Sequence, residues 1–226
     1  MSDAIVRALW RERATAILRT DDQARAAAAM EAAVRGGFRA LEFTLTTPGA
    51  LELIADFARR PDLLVGAGTV MTAALARDAV RAGARFLVSP VVDEEVIGAA
   101  RDLGVAAMPG AHTPTEMWRA HRAGAPLVKL FPAPAGGPAA LRAILGPMPF
   151  LRVVPTNGVD ADNAGAWLAA GAHSLGFVRS LFEPDALAAG DLVRIEERAR
   201  RILRQVAGFG RPEAPPESRS PVFPGA

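Results

Sequence analysis

Residues 83–131, GARFLVSPVVDEEVIGAARDLGVAAMPGAHTPTEMWRAHRAGAPLVKLF, contain the pattern that determines the fold. A short apolar segment leads into a polar turn, a helical segment follows, and a glycine ends each unit before the next apolar segment. Gly83, Gly104 and Gly124 lie about twenty residues apart, each where the C-terminal cap of a helix favours glycine. This spacing predicts a repeated strand–helix unit.

The same unit continues towards both ends of the chain. We predict eight strands, at 15–19, 40–44, 63–67, 85–89, 105–109, 127–131, 152–156 and 173–177. Helices are predicted at 2–12, 22–36, 48–59, 72–82, 93–103, 114–123, 138–145, 160–170 and 184–206. Eight alternating units favour an α/β fold, a (β/α)8 TIM barrel with an extra N-terminal helix, because open doubly wound sheets usually have about five or six strands.

The barrel is predicted to occupy residues 1–207 as a single domain, which is a common length for this fold. Residues 208–226, GFGRPEAPPESRSPVFPGA, are rich in proline and end the periodicity. We expect them to form an irregular C-terminal tail, and the alternative is a segment that packs on a neighbouring subunit.

The composition argues against several classes of function. No apolar stretch approaches the roughly 18 residues that cross a bilayer, and the N-terminal segment lacks a signal-peptide block, so we expect a cytoplasmic protein without a membrane partner. Cysteine is absent, which excludes disulfides and thiolate nucleophiles. The net charge is only +2 and the arginines are interspersed with acidic residues, so nucleic acid is not an expected partner.

One residue stands apart from the other basic side chains: Lys129 is the only lysine, and the remaining basic residues are arginine. An amine can lose its proton inside a protein, whereas a guanidinium effectively cannot, so a single lysine in an apolar strand suggests catalysis. The alternative is an accidental survivor of a drift towards arginine. Lys129 lies near the end of the sixth predicted strand, and the active sites of such barrels lie at the carboxyl ends of the strands.

Strand alternation predicts which side chains enter the barrel interior. Lys129 and Phe131 share one face of their strand, and burial of that face favours the uncharged amine. Glu42 and Thr44 likewise share one face of the second strand, which places the Glu42 carboxyl group in the same interior. A proton-transfer role for Glu42 is the preferred interpretation, and a buried salt bridge to Arg19 is the alternative.

Other chemistries find little support in the residues present. Tyrosine is absent, and the three histidines lack the spacing of a metal site, so neither a metal nor a cofactor is expected. His112 follows the fifth strand and is a weaker candidate for ligand contact. The segment VGAGTV at 65–70 has too few glycines for a dinucleotide fingerprint, and we interpret it as a tight turn that exposes backbone amides and the Thr69 hydroxyl group.

Six motifs, in their order and spacing, resemble one enzyme family: LEFTLTTP, VGAGTV, FLVSP, PGAHTPTE, VKLFPA and VVPTNGV. The family is the 2-keto-3-deoxy-6-phosphogluconate and 6-phosphogalactonate aldolases, also called 4-hydroxy-2-oxoglutarate aldolases. The resemblance covers roughly residues 15–182. It implies a class I aldolase of carbohydrate metabolism that cleaves one of these 4-hydroxy-2-keto acids to pyruvate and an aldehyde. It also implies a homotrimer.

The resemblance implies roles for individual residues. Lys129 would form the Schiff base, Glu42 would act as the general acid and base, and Thr69 would hold the pyruvate carboxylate. The residues implied to line the site are Pro90, Phe131 and Thr156.

Two departures from the family pattern concern the substrate. The phosphogluconate enzymes usually have arginine at the position of Thr46, whereas the galactonate branch has a short polar residue there, and Arg19 is similar to that branch and could supply the missing cation. The glycine-rich phosphate loops are also altered. Backbone amides near Gly158, aided by Arg179, could still bind phosphate, and an unphosphorylated keto acid is the alternative.

Two other functions stay open on the residues alone. One is a phosphosugar isomerase or epimerase in which Lys129 acts as an electrostatic clamp. The other is a barrel without catalytic activity that binds a ligand or serves in assembly.

Overall fold

The computed structural model describes residues 2–210, and within them the chain alternates between strands and helices. The strands are β1 Ala14–Leu18, β2 Ala40–Thr44, β3 Leu64–Gly68, β4 Phe86–Ser89, β5 Ala106–Ala111, β6 Val128–Leu130, β7 Val153–Pro155 and β8 Leu175–Phe177. The helices are α1 Ser2–Glu12, α2 Gln23–Arg35, α3 Ala50–Ala58, α4 Ala73–Arg81, α5 Glu94–Asp102, α6 Pro114–Arg122, α7 Gly137–Leu145, α8 Ala164–Ala169, α9 Pro184–Ala189 and α10 Leu192–Ala207.

The strands are parallel and follow the order β7-β6-β5-β4-β3-β2-β1-β8. A parallel bridge between Thr156 and Gly176 joins β7 to β8, and the His173 amide donates to the Val153 carbonyl over 2.8 Å. These contacts bring the two ends of the sheet together. The predicted (β/α)8 TIM barrel with an N-terminal helix is therefore confirmed.

Helix α1 lies across the amino-terminal end of the barrel. It contacts β1 and β5, which lie across the barrel from each other, and it buries Ile5, Val6 and Leu9. The carboxyl ends of the strands have no comparable covering helix among the described residues. This asymmetry leaves the end that carries Lys129 open.

The helix starts follow from local side-chain chemistry. Thr113 accepts a hydrogen bond from the Glu116 amide over 3.3 Å, and Glu116 Oε2 accepts one from the Thr113 amide over 2.8 Å, which forms a complete capping box at α6. Pro114 occupies the first turn, where its missing N–H has no cost. A cap of this kind stabilises a helix by about 1 kcal/mol.

The predicted helix at 184–206 is wrong in one respect, because the chain forms two helices there. Gly190 adopts a left-handed conformation with φ 66° and ends α9. Asp191 then caps α10 by accepting a hydrogen bond from the Arg194 amide over 3.0 Å. Of the predicted tail at 208–226, residues 211–226 lie outside the described residues.

No helix among residues 2–210 is both long enough and apolar enough to cross a membrane.

Candidate active site

A cavity of about 410 Å³ opens at the carboxyl ends of the strands. Eight of the ten residues singled out from the sequence line it: Arg19, Glu42, Thr69, Pro90, Lys129, Phe131, Thr156 and Arg179. A larger groove of about 610 Å³ runs along α10, but it is lined by arginines and one glutamate of that helix alone. Because ligand sites combine apolar walls with a few convergent polar groups, the cavity at the strand ends is the better candidate.

Lys129 reaches this cavity from the middle of β6. Its neighbours Val128 and Leu130 are fully buried on the opposite face of the strand, whereas Lys129 itself is partly buried. The Nζ atom lies 5.0 Å from the centre of the Phe131 ring, within the range of a cation–π contact. On the neighbouring strand Lys129 is in register with Gly110, where a side chain would overlap the Pro90 carbonyl group. The glycine thus lets Pro90 approach the site.

Glu42 is almost completely buried, with 1% of its surface exposed, and it faces the same cavity from β2. Burial raises the pKa of its carboxyl group, and the positive charges of Lys129 and Arg19 partly oppose that rise. A Cβ atom at Gly68 would overlap Glu42 Oε1, so the missing side chain on β3 provides the room for the carboxyl group.

The alternative role for Glu42, a salt bridge to Arg19, is not seen in the described part of the chain. Arg19 Nη2 instead donates to Thr69 Oγ1 over 3.2 Å. Arg19 is therefore directed at the turn after β3, where it shares the edge of the cavity with the Thr69 hydroxyl group.

Two residues at the cavity adopt the left-handed backbone conformation that favours glycine. Thr69 has φ 59° and Asn157 has φ 62°. Asparagine tolerates this region, but for a β-branched residue it is an outlier that costs on the order of 1–3 kcal/mol. Strain of this kind persists where the surrounding structure fixes it, and such positions concentrate at functional sites.

Two of the ten sequence-predicted residues do not line the cavity. Thr46 is exposed, and its hydroxyl group lies 3.1 Å from that of Thr44, which does face the cavity. The Gly158 carbonyl accepts a hydrogen bond from Asn163 Nδ2 over 2.9 Å, and the Gly158 backbone has φ 104°. Both residues nevertheless adjoin residues that do line it, Thr44 and Asn157.

Sequence reasoning missed several residues of the cavity, which are Ile17, Leu18, Thr44, Asn157, Val178, Phe182, Pro184 and Leu187. Thr44 could have been predicted from the sequence, because it lies two residues after Glu42 on β2 and therefore shares its face of the strand. Pro184 and Leu187 could not, because they lie in the short helix α9, which the periodic pattern does not separate from α10.

His112, the weaker candidate for ligand contact, is exposed and its Nδ1 lies 3.0 Å from the Pro132 carbonyl. No group of three His, Asp or Glu side chains within residues 2–210 is arranged to hold a metal ion.

Comparison with known proteins gives a consistent result. Residues 5–198 match the family described as "Aldolase: KDPG and KHG aldolase". The chain is 37% identical over 186 residues to a 2-dehydro-3-deoxy-phosphogluconate aldolase of Pseudoalteromonas atlantica, which covers 79% of this chain and 84% of the relative. It is 36% identical over 180 residues to a probable 2-dehydro-3-deoxy-6-phosphogalactonate aldolase of Rhizobium meliloti, covering 78% and 84%. These nearly equal identities favour neither epimer.

A solved structure agrees with these relatives. The KDPG aldolase of Legionella pneumophila, with pyruvate captured at low pH as a covalent carbinolamine intermediate, superposes with a TM-score of 0.79. The two chains are 28% identical, and the match covers 88% of this chain and 97% of the other.

Proposed function

This chain belongs to the KDPG and KHG aldolase family, and from that premise we propose that Lys129 and Glu42 carry out its reaction. The enzyme is a class I aldolase, which cleaves a 4-hydroxy-2-keto acid to pyruvate and an aldehyde through a lysine Schiff base. The observation that supports the assignment is the shared cavity, into which the only lysine and a buried carboxyl group both open.

Lys129 is the proposed nucleophile. Its neutral amine attacks C2 of the keto acid to give a carbinolamine, and loss of water gives the iminium ion. The iminium then accepts the electron pair of the C3–C4 bond as that bond breaks, and the aldehyde leaves. Protonation of the resulting enamine at C3, followed by hydrolysis, releases pyruvate and restores the amine.

Glu42 is the proposed proton carrier for these steps. It gives a proton to the departing water, takes the proton of the C4 hydroxyl group during cleavage, and returns a proton to C3. Because burial raises the pKa of the Glu42 carboxyl group, its protonated form persists closer to neutral pH than that of an exposed glutamate. Such a group can both donate and accept protons under the same conditions.

Thr69 and Arg19 are the proposed site for the pyruvate carboxylate. Arg19 Nη2 donates to Thr69 Oγ1, so a hydroxyl group and a guanidinium lie together at one edge of the cavity. A carboxylate there gains a charge-assisted hydrogen bond. Phe131 and Pro90 are proposed to enclose the planar iminium, with Thr156 on the neighbouring strand beside it.

The far end of the substrate is proposed to lie towards Arg179, which lines the cavity and is exposed. No carboxylate among residues 2–210 forms an ion pair with Arg179, so its charge is available to an anion of the substrate. Either a phosphate or a carboxylate would meet this requirement. Backbone amides near Gly158 are proposed to bind that anion together with Arg179, and Thr46 is proposed to act at the edge of the site, where its hydroxyl group lies 3.1 Å from that of Thr44.

We further propose that the enzyme is cytoplasmic, takes part in carbohydrate metabolism and assembles as a homotrimer. The family resemblance supports the metabolic role and the trimer, and the sequence pattern of the N-terminal segment supports the location. Sedimentation of the purified protein would test the assembly, since the 226-residue chain has a mass of 23.7 kDa.

The decisive experiment is borohydride reduction in the presence of pyruvate. We expect a reduced pyruvate adduct on Lys129, located by mass spectrometry of peptides, and about a 10⁴-fold or greater loss of aldol cleavage in Lys129→Arg. Arginine keeps the charge but cannot form an imine, so it separates the Schiff base from an electrostatic clamp of the kind an isomerase would use. Full activity of Lys129→Arg, or an adduct elsewhere, would overturn the assignment.

A further inference from the structure

Two loops form the part of the site that is proposed to receive the distal anion of the substrate. One follows β7 and contains Asn157 and Gly158, and the other follows β8 and contains Arg179. An anion that contacts both loops needs the distance between them to be fixed, because hydrogen bonds weaken steeply outside a narrow range of distance and angle. The residues that hold the two loops together therefore affect substrate binding.

The Ser180 hydroxyl group joins these two loops. Ser180 Oγ donates a hydrogen bond to the Val159 carbonyl group over 2.7 Å. Val159 is buried and directly follows Gly158, and Ser180 directly follows Arg179. Each partner of this bond is thus the chain neighbour of a residue that is proposed to bind the anion.

The loop after β8 is also closed within itself. The amides of Leu181 and Phe182 both donate to the Val178 carbonyl group, over 3.2 and 2.8 Å. Arg179 and Ser180 are consecutive residues inside this turn. A shift of Ser180 therefore moves the backbone of Arg179 with it.

Helix α10 holds this turn from the outer side. Arg198 Nη1 donates to the Ser180 carbonyl group over 3.2 Å, and Arg198 also forms an ion pair with Glu183. Arg194, one helical turn earlier, pairs with Glu183 over 2.5 Å. The two ion pairs compensate the charge of Glu183, which lies four residues after Arg179. Arg198 therefore both fixes the Ser180 backbone and neutralises Glu183, and Arg194 shares the second task.

We propose, on the basis of the function and the anion site proposed above, that Ser180 and Arg198 are positioning residues for the distal anion of the substrate. Ser180 sets the distance between the Arg179 guanidinium and the amides near Gly158, and Arg198 fixes Ser180 from the outer side. Neither side chain lines the cavity, so both act on the binding of the anion and not on the steps at C2 and C3. Removal of either contact should raise KM for an anionic aldehyde and leave kcat unchanged.

The test is aldol addition of pyruvate to two pairs of aldehydes that differ in the distal anion. Glyceraldehyde 3-phosphate is compared with glyceraldehyde, and glyoxylate with glycolaldehyde, so that one pair reports a phosphate and the other a carboxylate. The ratio of kcat/KM for the anionic aldehyde to that for its neutral partner is called the anion ratio. Arg179→Gln should lower this ratio by about 10²-fold in the pair that carries the anion of the natural substrate.

Variants of Ser180 test the bond between the loops. Ser180→Ala should lower the anion ratio about tenfold through KM for the anionic aldehyde, and Ser180→Thr, which keeps the hydroxyl group, should retain the wild-type ratio. The matched control is Ser89→Ala at the end of β4, which removes a hydroxyl group that donates to the Val91 carbonyl over the same 2.7 Å. This control should leave the anion ratio unchanged.

The two arginines of α10 provide a second matched pair. Arg198→Gln should lower the anion ratio about tenfold, because the contact with the Ser180 carbonyl is lost. Arg194→Gln removes the same charge beside Glu183 and should change the ratio by less than about twofold, since an exposed ion pair contributes little. Equal losses in both variants would assign the effect to charge compensation and overturn the positioning role of Arg198.

Borohydride trapping of pyruvate needs no aldehyde, so it is run on every variant in parallel. If Arg179→Gln lowers the anion ratio while Ser180→Ala and Arg198→Gln do not, the positioning role is wrong and the anion site stands. If Arg179→Gln leaves both anion ratios unchanged, the anion site itself is wrong, and with it the role of Ser180 and Arg198. A wild-type protein that forms no trapped adduct would contradict the Schiff-base assignment.

Discussion

The two ends of the barrel each bury a titratable side chain near arginine, but only one of these ends is open. Glu42 at the carboxyl end faces a cavity, whereas His173 at the amino end is enclosed beneath α1, where its ring packs 5.2 Å from that of Trp10. Burial shifts both groups towards their uncharged forms, raising the pKa of Glu42 and lowering that of His173. The difference is access, because Glu42 lines a cavity open to a ligand and His173 does not.

This comparison predicts that substitutions of the two residues have opposite effects on activity and stability. Of these two residues, Glu42 is expected to show the larger effect on rate in Glu42→Gln, which keeps the shape of the side chain and removes the titratable proton. We expect aldol cleavage to fall by about 10²–10⁴-fold, the usual contribution of general acid–base catalysis, while pyruvate still forms a trapped adduct slowly. Steady-state kinetics together with single-turnover trapping would measure both.

The folding stability of Glu42→Gln at neutral pH is expected to stay equal or to rise, although its activity falls. Because the folded-state pKa of Glu42 is raised, the folded protein holds that proton more tightly than the unfolded chain does. Its stabilising contribution is present at low pH and is lost as pH rises past the ordinary pKa of glutamate. Glu42→Gln should therefore unfold at an equal or higher urea concentration than wild type at neutral pH, and a marked loss of stability would contradict this account.

A smaller loss of rate is expected when Glu42 is kept but the space for its carboxyl group is filled by a new side chain. In Gly68→Ala the new Cβ atom would overlap Glu42 Oε1, which must move. A displacement of about 1 Å costs about 10²-fold in rate, so we expect kcat/KM to fall by that order with the pyruvate adduct still on Lys129.

The matched control is Gly98→Ala in α5, where the nearest atom to the added Cβ is Arg101 Nη2 at 3.9 Å. Alanine favours a helix over glycine by about 0.5–1 kcal/mol, so this variant should be slightly more stable and fully active. If both variants lose activity equally, the contact between Gly68 and Glu42 does not explain the effect.

The sequence predicted the parts of this arrangement that follow from periodicity. All eight strands lie within two residues of their predicted limits, since each is bounded by a glycine or a polar turn. Strand alternation predicted that the Glu42 and Lys129 side chains both face the interior of the barrel, because successive side chains on a strand point to opposite faces. The fold alone then predicted that the active site lies at the carboxyl ends of the strands.

The rest of the site depends on tertiary contacts that no local pattern encodes. Thr69 has a left-handed backbone for which threonine has no intrinsic preference, and its hydroxyl group accepts a hydrogen bond from Arg19, fifty residues away in the chain. The end of α9 at Gly190 carries the same glycine signal as earlier units, but Gly190 precedes a helix instead of a strand. The periodic pattern therefore joined α9 to α10.

The smallest effect on activity, and the clearest on stability, is expected at the enclosed end. Burial lowers the pKa of His173 to about 3, and the nearby charges of Arg152 and Arg13 add to that shift. Between the ordinary pKa of about 6.5 and this value, the unfolded chain binds a proton that the folded protein does not. Stability is therefore complete above pH 6.5 and falls by roughly 1.4 kcal/mol for each pH unit below it.

His173→Phe should remove this part of the pH dependence while keeping an aromatic ring against Trp10. In urea unfolding at pH 7 and pH 5, wild type is expected to lose about 2 kcal/mol more than the variant, because only wild type takes up this proton on unfolding. Activity at pH 7 should be unchanged, since His173 lies at the opposite end from Lys129. Equal losses in both proteins would mean that the enclosed histidine does not control acid stability, and a slow variant would mean that the two ends of the barrel are coupled.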